Sequence, residues 1–387
     1  MNHYDVVIIG SGLAGLTLAA DLSRKAWRVL LVDRKACVTD SVRTTGIFVR
    51  KTLEDFSLPA ATLGPPVRRV QLYSPRGRSV SFDSDLDEYR VADMRKLYRS
   101  LLADCLSAGV SWMPRTGFES AREVGLGLTR VQLRANGERS ECSAGVLVGA
   151  DGVHSRVARS LDLDINREWI VGVEEVYTVS HSRQPLFSCF LDPDLAPGYL
   201  AWVVDDGRHI HVGTAGKGKT FAPLEALRAF KTKLSPDILP PEARFEELRG
   251  GRIPTGGVLR RISSPSGLLI GDAAGAVSPL TAGGFDGCIR MSGQAAMAIH
   301  AALTTGNREA LVEYSGRRLR SRFTTRLAAR RLFEACRSRL LLEAGFTLLR
   351  VPPVHWLARE IFFGRYSFPD VEMLGEGRRM NRAAGES

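Results

Sequence analysis

The segment that most constrains the fold is Gly10-Ser11-Gly12-Leu13-Ala14-Gly15, which directly follows the apolar run Val6-Val7-Ile8-Ile9. Such a run suits a strand buried on both faces in a parallel sheet. After the turn, Leu13, Leu16, Ala20 and Leu22 recur at helical spacing, which predicts a helix from Leu13 to Arg24. Trp27 to Val32 predicts a second strand, and Asp33 closes it, eighteen residues after Gly15. Strand, glycine turn, helix, strand and terminal acid form a half-site that grips a dinucleotide. Gly10 permits the tight turn, Gly12 presents bare backbone to a pyrophosphate, and Gly15 lets helix and strand close. N–H groups at the helix start, around Leu13 and Ala14, face the phosphates, and the Asp33 carboxylate suits ribose hydroxyls.

A second glycine segment, Gly271-Asp272-Ala273-Ala274-Gly275, follows Leu268-Leu269-Ile270 more than 250 residues later. NAD and FAD share the first half-site, and this second segment separates them. It resembles the second signature of glutathione-reductase-type flavoproteins, where the Asp bonds the ribityl chain of FAD. Between the two lies Gly149-Ala150-Asp151-Gly152-Val153-His154-Ser155-Arg156, with an Asp-Gly pair closing a short strand, Val146-Leu147-Val148. Asp151 or Ser155 there can cap the following helix. The segment also resembles the Asp-Gly motif of the aromatic hydroxylases.

The order and spacing of the three motifs resemble the para-hydroxybenzoate hydroxylase superfamily of FAD enzymes, over about residues 1–305. Two stretches are similar to its geranylgeranyl reductase branch. One runs from Thr44 through Thr45-Gly46-Ile47 to Thr52-Leu53. The other is Pro279-Leu280-Thr281-Ala282-Gly283-Gly284-Phe285, followed by Ser292-Gly293-Gln294-Ala295-Ala296. The chain departs from the branch at Thr44, where the branch has cysteine, and at Ala282, where it has glycine. The branch's aromatic substrate signature survives only as Tyr199 and Trp202, and Met94 replaces an arginine, with Arg95 beside it.

The resemblance implies FAD as cofactor and an α/β fold. A Rossmann-like FAD domain (1–66, 91–162 and 255–308) would carry an inserted antiparallel β-sheet substrate domain (67–90 and 163–254). A helical arm (309–387) would follow. It places Gly10, Gly12, Leu13, Ala14, Gly15, Asp33, Arg34, Arg43, Asp151, Gly271, Asp272, Gly283, Gly284 and Phe285 on the cofactor. Tyr199, Trp202 and Thr45 form the candidate substrate set, and Arg43 reads equally as a surface residue. Asp286 is the nearest acid after the flavin loop, a candidate proton donor or a helix cap.

Local patterning fits this layout. Val67–Tyr73 and Arg78–Phe82 flank a Ser-Pro-Arg-Gly turn and predict a hairpin. Asp93 to Ser107 reads as a helix with an N-terminal acid and Gly109 just past its end. Ile165 to Ala215 alternates apolar and polar residues, as an antiparallel sheet does. Gly284 to Leu303 reads as a helix. His209 and His211 alternate on one strand face with no third ligand, so no metal site is expected. The six cysteines form no CxxC pair, which argues against a disulfide framework or zinc site and suits a reducing cytosol. No run of about 18 apolar residues predicts a membrane span.

Net charge is +11, and nine arginines against one acid fall between Arg317 and Arg339. That field suits an anionic membrane surface or an acidic protein. No nucleic-acid motif accompanies it, so no nucleic-acid partner is expected. Leu319, Phe323, Leu327, Leu332, Cys336 and Leu340 predict an apolar helical face on this arm, which reads either as a lid over the pocket or as a membrane contact. The expected location is the cytoplasm, with the periphery of the inner membrane as the second reading. The function expected is an FAD-dependent oxidoreductase for a hydrophobic substrate. Reduction of a C=C bond comes first, hydroxylation by O₂ and NAD(P)H second, and a flavoprotein that acts on or docks to a partner protein third. With one GxGxxG only, NAD(P)H would visit transiently, or a separate carrier would bring the electrons.

Overall fold

The computed structural model describes residues 2–364 except 126, 181, 182, 219, 220 and 322. The Val6–Ile9 run forms the buried half of a strand, Asn2–Ile9. Val29–Val32 and Glu138–Gly149 flank it in parallel within an eight-stranded sheet. Ser111–Met113 and Gly267–Leu269 extend the parallel part on either side. Helices Leu13–Ser23, Met94–Ser107 and Phe285–Thr305 share one apolar core with this sheet. Leu16, Leu18 and Leu22 are fully buried there, each contributing about 1.5–3 kcal/mol of burial. The Asp93 carboxylate accepts the Lys96 N–H at the start of the second helix. Gly109, at a φ of 91°, follows its end.

A second sheet has seven strands, in the order Arg244–Pro254, Trp169–Thr178, His209–Gly216, Ala201–Asp205, Leu186–Phe190, Arg69–Tyr73 and Ser79–Asp83. All its pairs are antiparallel except Leu186–Phe190 with Arg69–Tyr73, which is parallel. The inserted sheet is antiparallel as expected apart from that one pair. Its two strands come from separate excursions of the chain, so no hairpin imposes a direction on them. On one face, Val173, Ala201, Val203, Ile210 and Val212 pack against Leu227 and Phe230 of helix Pro223–Lys231. A small sheet, Ile47–Val49, Tyr89–Ala92 and Leu63–Val67, completes the β-structure.

The C-terminal region forms helices Gly316–Ser321, Thr324–Ala335, Arg339–Leu348 and Pro352–Phe363. The predicted continuous apolar face is divided among them. Leu319 and Phe323 are buried, whereas Leu332 and Leu340 are 75% and 70% exposed. Each break restarts the helix in a new phase, so i, i+4 spacing does not carry across it. Phe346, Ala358 and Phe363 pack on Val70, Leu72, Phe82 and Tyr89 of the sheets.

Four of the arginines that looked like a surface field clamp this arm to the body. Arg320 donates to the carbonyls of Gly256 and Val258, and Arg326 to Ser278 Oγ. Arg330 lies over the Tyr199 ring, and Arg339 pairs with Asp192 and Asp194. Arg322 lies outside the described residues. Among the described residues no helix is long and apolar enough to cross a membrane.

Candidate active site

One cavity of about 2070 Å³ runs between the parallel sheet, the seven-stranded sheet and the C-terminal helices. Small-molecule pockets are typically about 300–1,000 Å³, so this space admits a dinucleotide and a second molecule together. Gly10, Gly12, Leu13, Ala14, Asp33, Arg34, Arg43, Asp151, Gly271, Asp272, Gly283, Gly284, Phe285 and Asp286 all line it, as do Thr45, Tyr199 and Trp202. Gly15 is the one sequence candidate set back from the wall, behind Gly10.

At one end the glycine turn does what its spacing implies. Gly10 sits at a φ of 110°, and a Cβ there would fall 2.2 Å from the Ala150 carbonyl oxygen. A Cβ on Gly15 would meet the Gly10 carbonyl oxygen at 1.9 Å. Gly12 is different. Its backbone is extended, and a Cβ on it would meet nothing within 4 Å. Space is kept beside the uncapped N-terminus of the helix, where an anion is favoured. Asp33 is buried and accepts the N–H and hydroxyl of Ser11 at 2.8 and 2.7 Å and the Lys35 N–H at 2.9 Å. Arg34 and Arg43 are exposed along the rim, and among the described residues neither has an ion pair. Asp151 serves as a cap: one carboxylate oxygen accepts the Arg156 N–H at 2.7 Å, and Ser155 accepts the Ala158 N–H. Its other oxygen is buried with no partner among the described residues.

At the middle, the Asp272 carboxylate faces the cavity. It is reachable from the cavity yet enclosed by protein, and this burial pushes its pKa up to about 6. No donor among the described residues reaches it. A hydroxylated chain lying there would cover this carboxylate and supply the donors it then requires. Gly284 caps helix Phe285–Thr305 without a side-chain bond, which leaves the first N–H groups of that helix toward the cavity. Phe285 stacks on Phe48 at 4.5 Å. Ala282, where the resemblance has glycine, holds a φ of 52°, so this loop keeps a left-handed turn at a steric cost of about 1 kcal/mol.

Asp286 is engaged on two sides. Thr52 donates to it at 2.8 Å, and Arg290 Nε bridges both its oxygens at 3.0 and 3.1 Å. Arg290 is buried and also pairs with Asp55. Arg95, beside Met94, pairs with Glu247 and is not on the cavity wall.

The far end is built by sheet register. Arg249, Glu174, Gly213, Trp202, Cys189 and Leu72 oppose one another across six strands. Directly opposed residues share a face, and all but Gly213 line the cavity. Gly213 is the gap in the row. A Cβ there would stand 2.2 Å from the Trp202 ring, which lies across the glycine and donates Nε1–H to Glu174 at 2.9 Å. The Thr45 hydroxyl donates to the same Glu174 oxygen. Tyr199 lies just before strand Ala201–Asp205 and donates to the Thr281 carbonyl at 2.7 Å.

Two of the three substrate candidates therefore meet on Glu174, a residue the sequence reading passed over. The signal was there: Glu174-Glu175 in mid-strand must turn one carboxylate inward, because side chains alternate. Burial opposes its charge, yet His211, Thr45 and Trp202 outweigh this and hold its carboxyl below the usual range. Beyond this row the wall is apolar, with Leu332, Phe333, Leu342, Phe346, Leu349 and Phe362 from the C-terminal helices.

These features suit a flavoprotein: a glycine turn before an uncapped helix start at one end, an unpartnered carboxylate at the middle, and an apolar chamber beyond. The FAD binding domain family profile matches residues 3–328, and the chain belongs to that family. It is an FAD-dependent oxidoreductase. The digeranylgeranylglycerophospholipid reductase of Methanothrix thermoacetophila is 27% identical over 81% of this chain and 82% of its own length. The enzyme of the same name from Methanosarcina acetivorans is 26% identical over 79% and 77%.

Among solved structures, a geranylgeranyl bacteriochlorophyll reductase-like protein from Thermoplasma acidophilum superposes with a TM-score of 0.81. It is 18% identical and covers 97% of this chain and 98% of its own. The p-nitrophenol 4-monooxygenase of Pseudomonas putida gives a TM-score of 0.71 at 18% identity, over 95% and 99%. At these identities the structures share the fold.

Proposed function

We propose that the protein reduces C=C bonds in a polyprenyl chain of a lipid. The observation that carries this is the apolar chamber, continuous with the Gly283-Gly284 loop and walled by leucines and phenylalanines of the C-terminal helices. Such a chamber suits a long hydrocarbon. The names of the archaeal relatives support the same substrate class. When bound and reduced, FAD supplies a hydride equivalent.

The chain's own residues divide the remaining work. Backbone at Gly10, Gly12, Leu13, Ala14 and Gly15 would hold the pyrophosphate, with Arg34 and Arg43 toward its charge. Asp33 would hold the ribose and Asp272 the ribityl chain. Asp151 would steady the Asp-Gly turn beside them. Gly271, Gly283, Gly284 and Phe285 would form the wall at the ring system, and Gly283 and Gly284 would leave room for a planar ring. Thr45, Tyr199 and Trp202 would face the substrate. Asp286, held by Arg290, reads as a counter-ion rather than a proton donor. Electrons would come from NAD(P)H visiting transiently or from a separate carrier.

The C-terminal arm closes the apolar end, and Leu332 and Leu341 both line the cavity and face outward. Leu340, Leu348, Trp356 and Leu357 are exposed beside them. We read this rim as the side that meets a lipid surface, so the substrate passes from bilayer to chamber without crossing water.

The test is mass spectrometry of a geranylgeranyl lipid after anaerobic incubation with the dithionite-reduced holoenzyme. A gain of two hydrogens per double bond supports the proposal. No product anaerobically, with one oxygen atom added in air, would favour the monooxygenase instead. Co-sedimentation with anionic vesicles tests the rim, and an unbound protein at low salt would remove that part.

A further inference from the structure

We propose that Asp206, His211, Glu174 and Thr45 form a proton path from solvent to the substrate end of the cavity. It rests on the C=C reduction proposed above and assigns the source of the proton that reaction requires. A hydride delivers both electrons and one hydrogen to one carbon, and the other carbon needs a proton. Of the two acids nearest the flavin loop, Asp286 is held by Arg290 and Asp272 is assigned above to the ribityl chain.

Beginning outside, the His209 side chain is 37% exposed and stands 3.6 Å from Glu246 and 3.5 Å from Asp206. Asp206 Oδ2 stands 3.4 Å from His211 Nε2, and His211 Nδ1 stands 3.5 Å from Glu174 Oε1. Both His211 and Glu174 are buried. Glu174 Oε2 accepts from Thr45, which lines the cavity. Five groups, His209 included, thus connect open solvent to the chamber.

Two features distinguish this row from an ordinary structural ion pair. First, His211 Nδ1 and Glu174 Oε1 are both buried with no hydrogen-bond partner among the described residues, and they face each other. Buried polar atoms are nearly always paired. Their separation is a few tenths of an ångström beyond a good bond, so a small rotation of the imidazole closes it on one carboxylate or the other.

Second, the charges are arranged for transfer. Burial disfavours the imidazolium, yet Asp206 and Glu174 on its two sides override this and hold His211 at about 9. It therefore carries a proton at neutral pH, between two carboxylates held ionised. The other charged groups facing the row are Arg249, 3.7 Å from Glu174 and paired with Glu247, and the Arg183–Asp205 pair beside Asp206.

In the step, the His211 imidazolium first protonates Glu174; the Thr45 hydroxyl then turns from donating to Glu174 to accepting from it, and gives its own proton to the substrate carbon. His211 is recharged through Asp206 and His209. One proton leaves solvent per bond reduced, and both electrons come from the reduced cofactor.

The test uses full-length, FAD-loaded protein with ¹⁵N-labelled histidine. His211, assigned by loss of its signal in H211N, is expected to titrate near 9. In E174Q, a neutral isostere, its midpoint should fall by about a unit or more. A wild-type midpoint within about half a unit of 6.5, or no shift in E174Q, overturns the path.

Turnover of pre-reduced enzyme gives the second arm. T45V should slow product formation at least about tenfold, and T45S should recover it. The wild-type rate should fall above pH 9, and that limb should vanish in H211N. T45V at the wild-type rate also overturns the path. A wild-type enzyme that reduces no prenyl lipid speaks against the reaction proposed above, while the substrate-free titration still decides whether His211 and Glu174 share a proton.

Discussion

Replacing Gly213 by alanine should damage the candidate active site through one contact. The backbone there is an ordinary strand, so alanine brings no conformational strain of its own. Its Cβ, however, would stand 2.2, 2.3 and 2.7 Å from Cζ2, Cε2 and Nε1 of Trp202. The far end of a flexible chain could move aside, but a flat indole lying on the sheet must tilt away as a whole. That costs about 1–3 kcal/mol of overpacking. Tilting also breaks the bond from Nε1 to the buried Glu174 carboxylate, worth about 1.5–3 kcal/mol for a charged acceptor. Together G213A should lose roughly 3–5 kcal/mol, read as a lower urea midpoint of the apoprotein at pH 7. W202F alone forfeits the hydrogen bond and leaves a gap over Gly213 where the indole lay. In G213A/W202F the smaller ring relieves the clash, so the double variant should be more stable than the two single losses predict by over about 1 kcal/mol. Strict additivity, or a G213A protein within about 1 kcal/mol of wild type, would refute the reasoning.

Three further outcomes are expected. G12V should fold with a loss below about 1 kcal/mol, because its Cβ enters open space, yet emerge without yellow FAD. Retention of FAD colour would show that the pyrophosphate does not pass over Gly12. Stability should also depend on pH through His211, whose folded pKa of about 9 lies above the unfolded value near 6.5. Its contribution, up to about 3 kcal/mol, is complete below pH 6.5 and lost as pH rises through 9. Urea midpoints of wild type and H211N should converge across that window, and a constant gap would count against it. A282G should be stabilised by up to about 1 kcal/mol, since Ala282 holds a φ of 52° that glycine adopts freely. A lower melting midpoint for A282G would contradict this.

The cofactor end of the cavity was legible in the sequence because its parts are local. Gly10, Gly12 and Gly15 act within six residues, and Asp33 returns to Ser11 across a single helix. Asp272 and Gly283-Gly284 belong to one short strand-to-helix connection. Each motif carries its geometry with it, so spacing alone implies where the pieces lie. The arm was less legible for the same reason in reverse. Its apolar spacing runs through two helix breaks, and Arg320, Arg326, Arg330 and Arg339 look like free charge until the carbonyls, hydroxyl, ring and carboxylates that receive them are seen.

The substrate end depends on register, which the sequence leaves open. Thr45 is 129 residues from Glu174, and Trp202 reaches the same carboxylate only because Gly213 lies between them. Slipping one strand by a single residue would turn Glu174 outward and Glu175 inward. The pairing of Trp169–Thr178 with His209–Gly216 is what sets Glu174 beside His211. His209 and His211 read as a plain strand face in the sequence because their partners are carboxylates on other strands and in the Asp206 turn. Among the described residues no His, Cys, Asp or Glu group is arranged to hold a metal, and the His211 nitrogens face Asp206 and Glu174 at distances suited to a shared proton. The residues proposed to hold a cofactor are thus read from neighbours in the chain, whereas those proposed to move a proton are gathered by strand register and by the turn and loop packed on it.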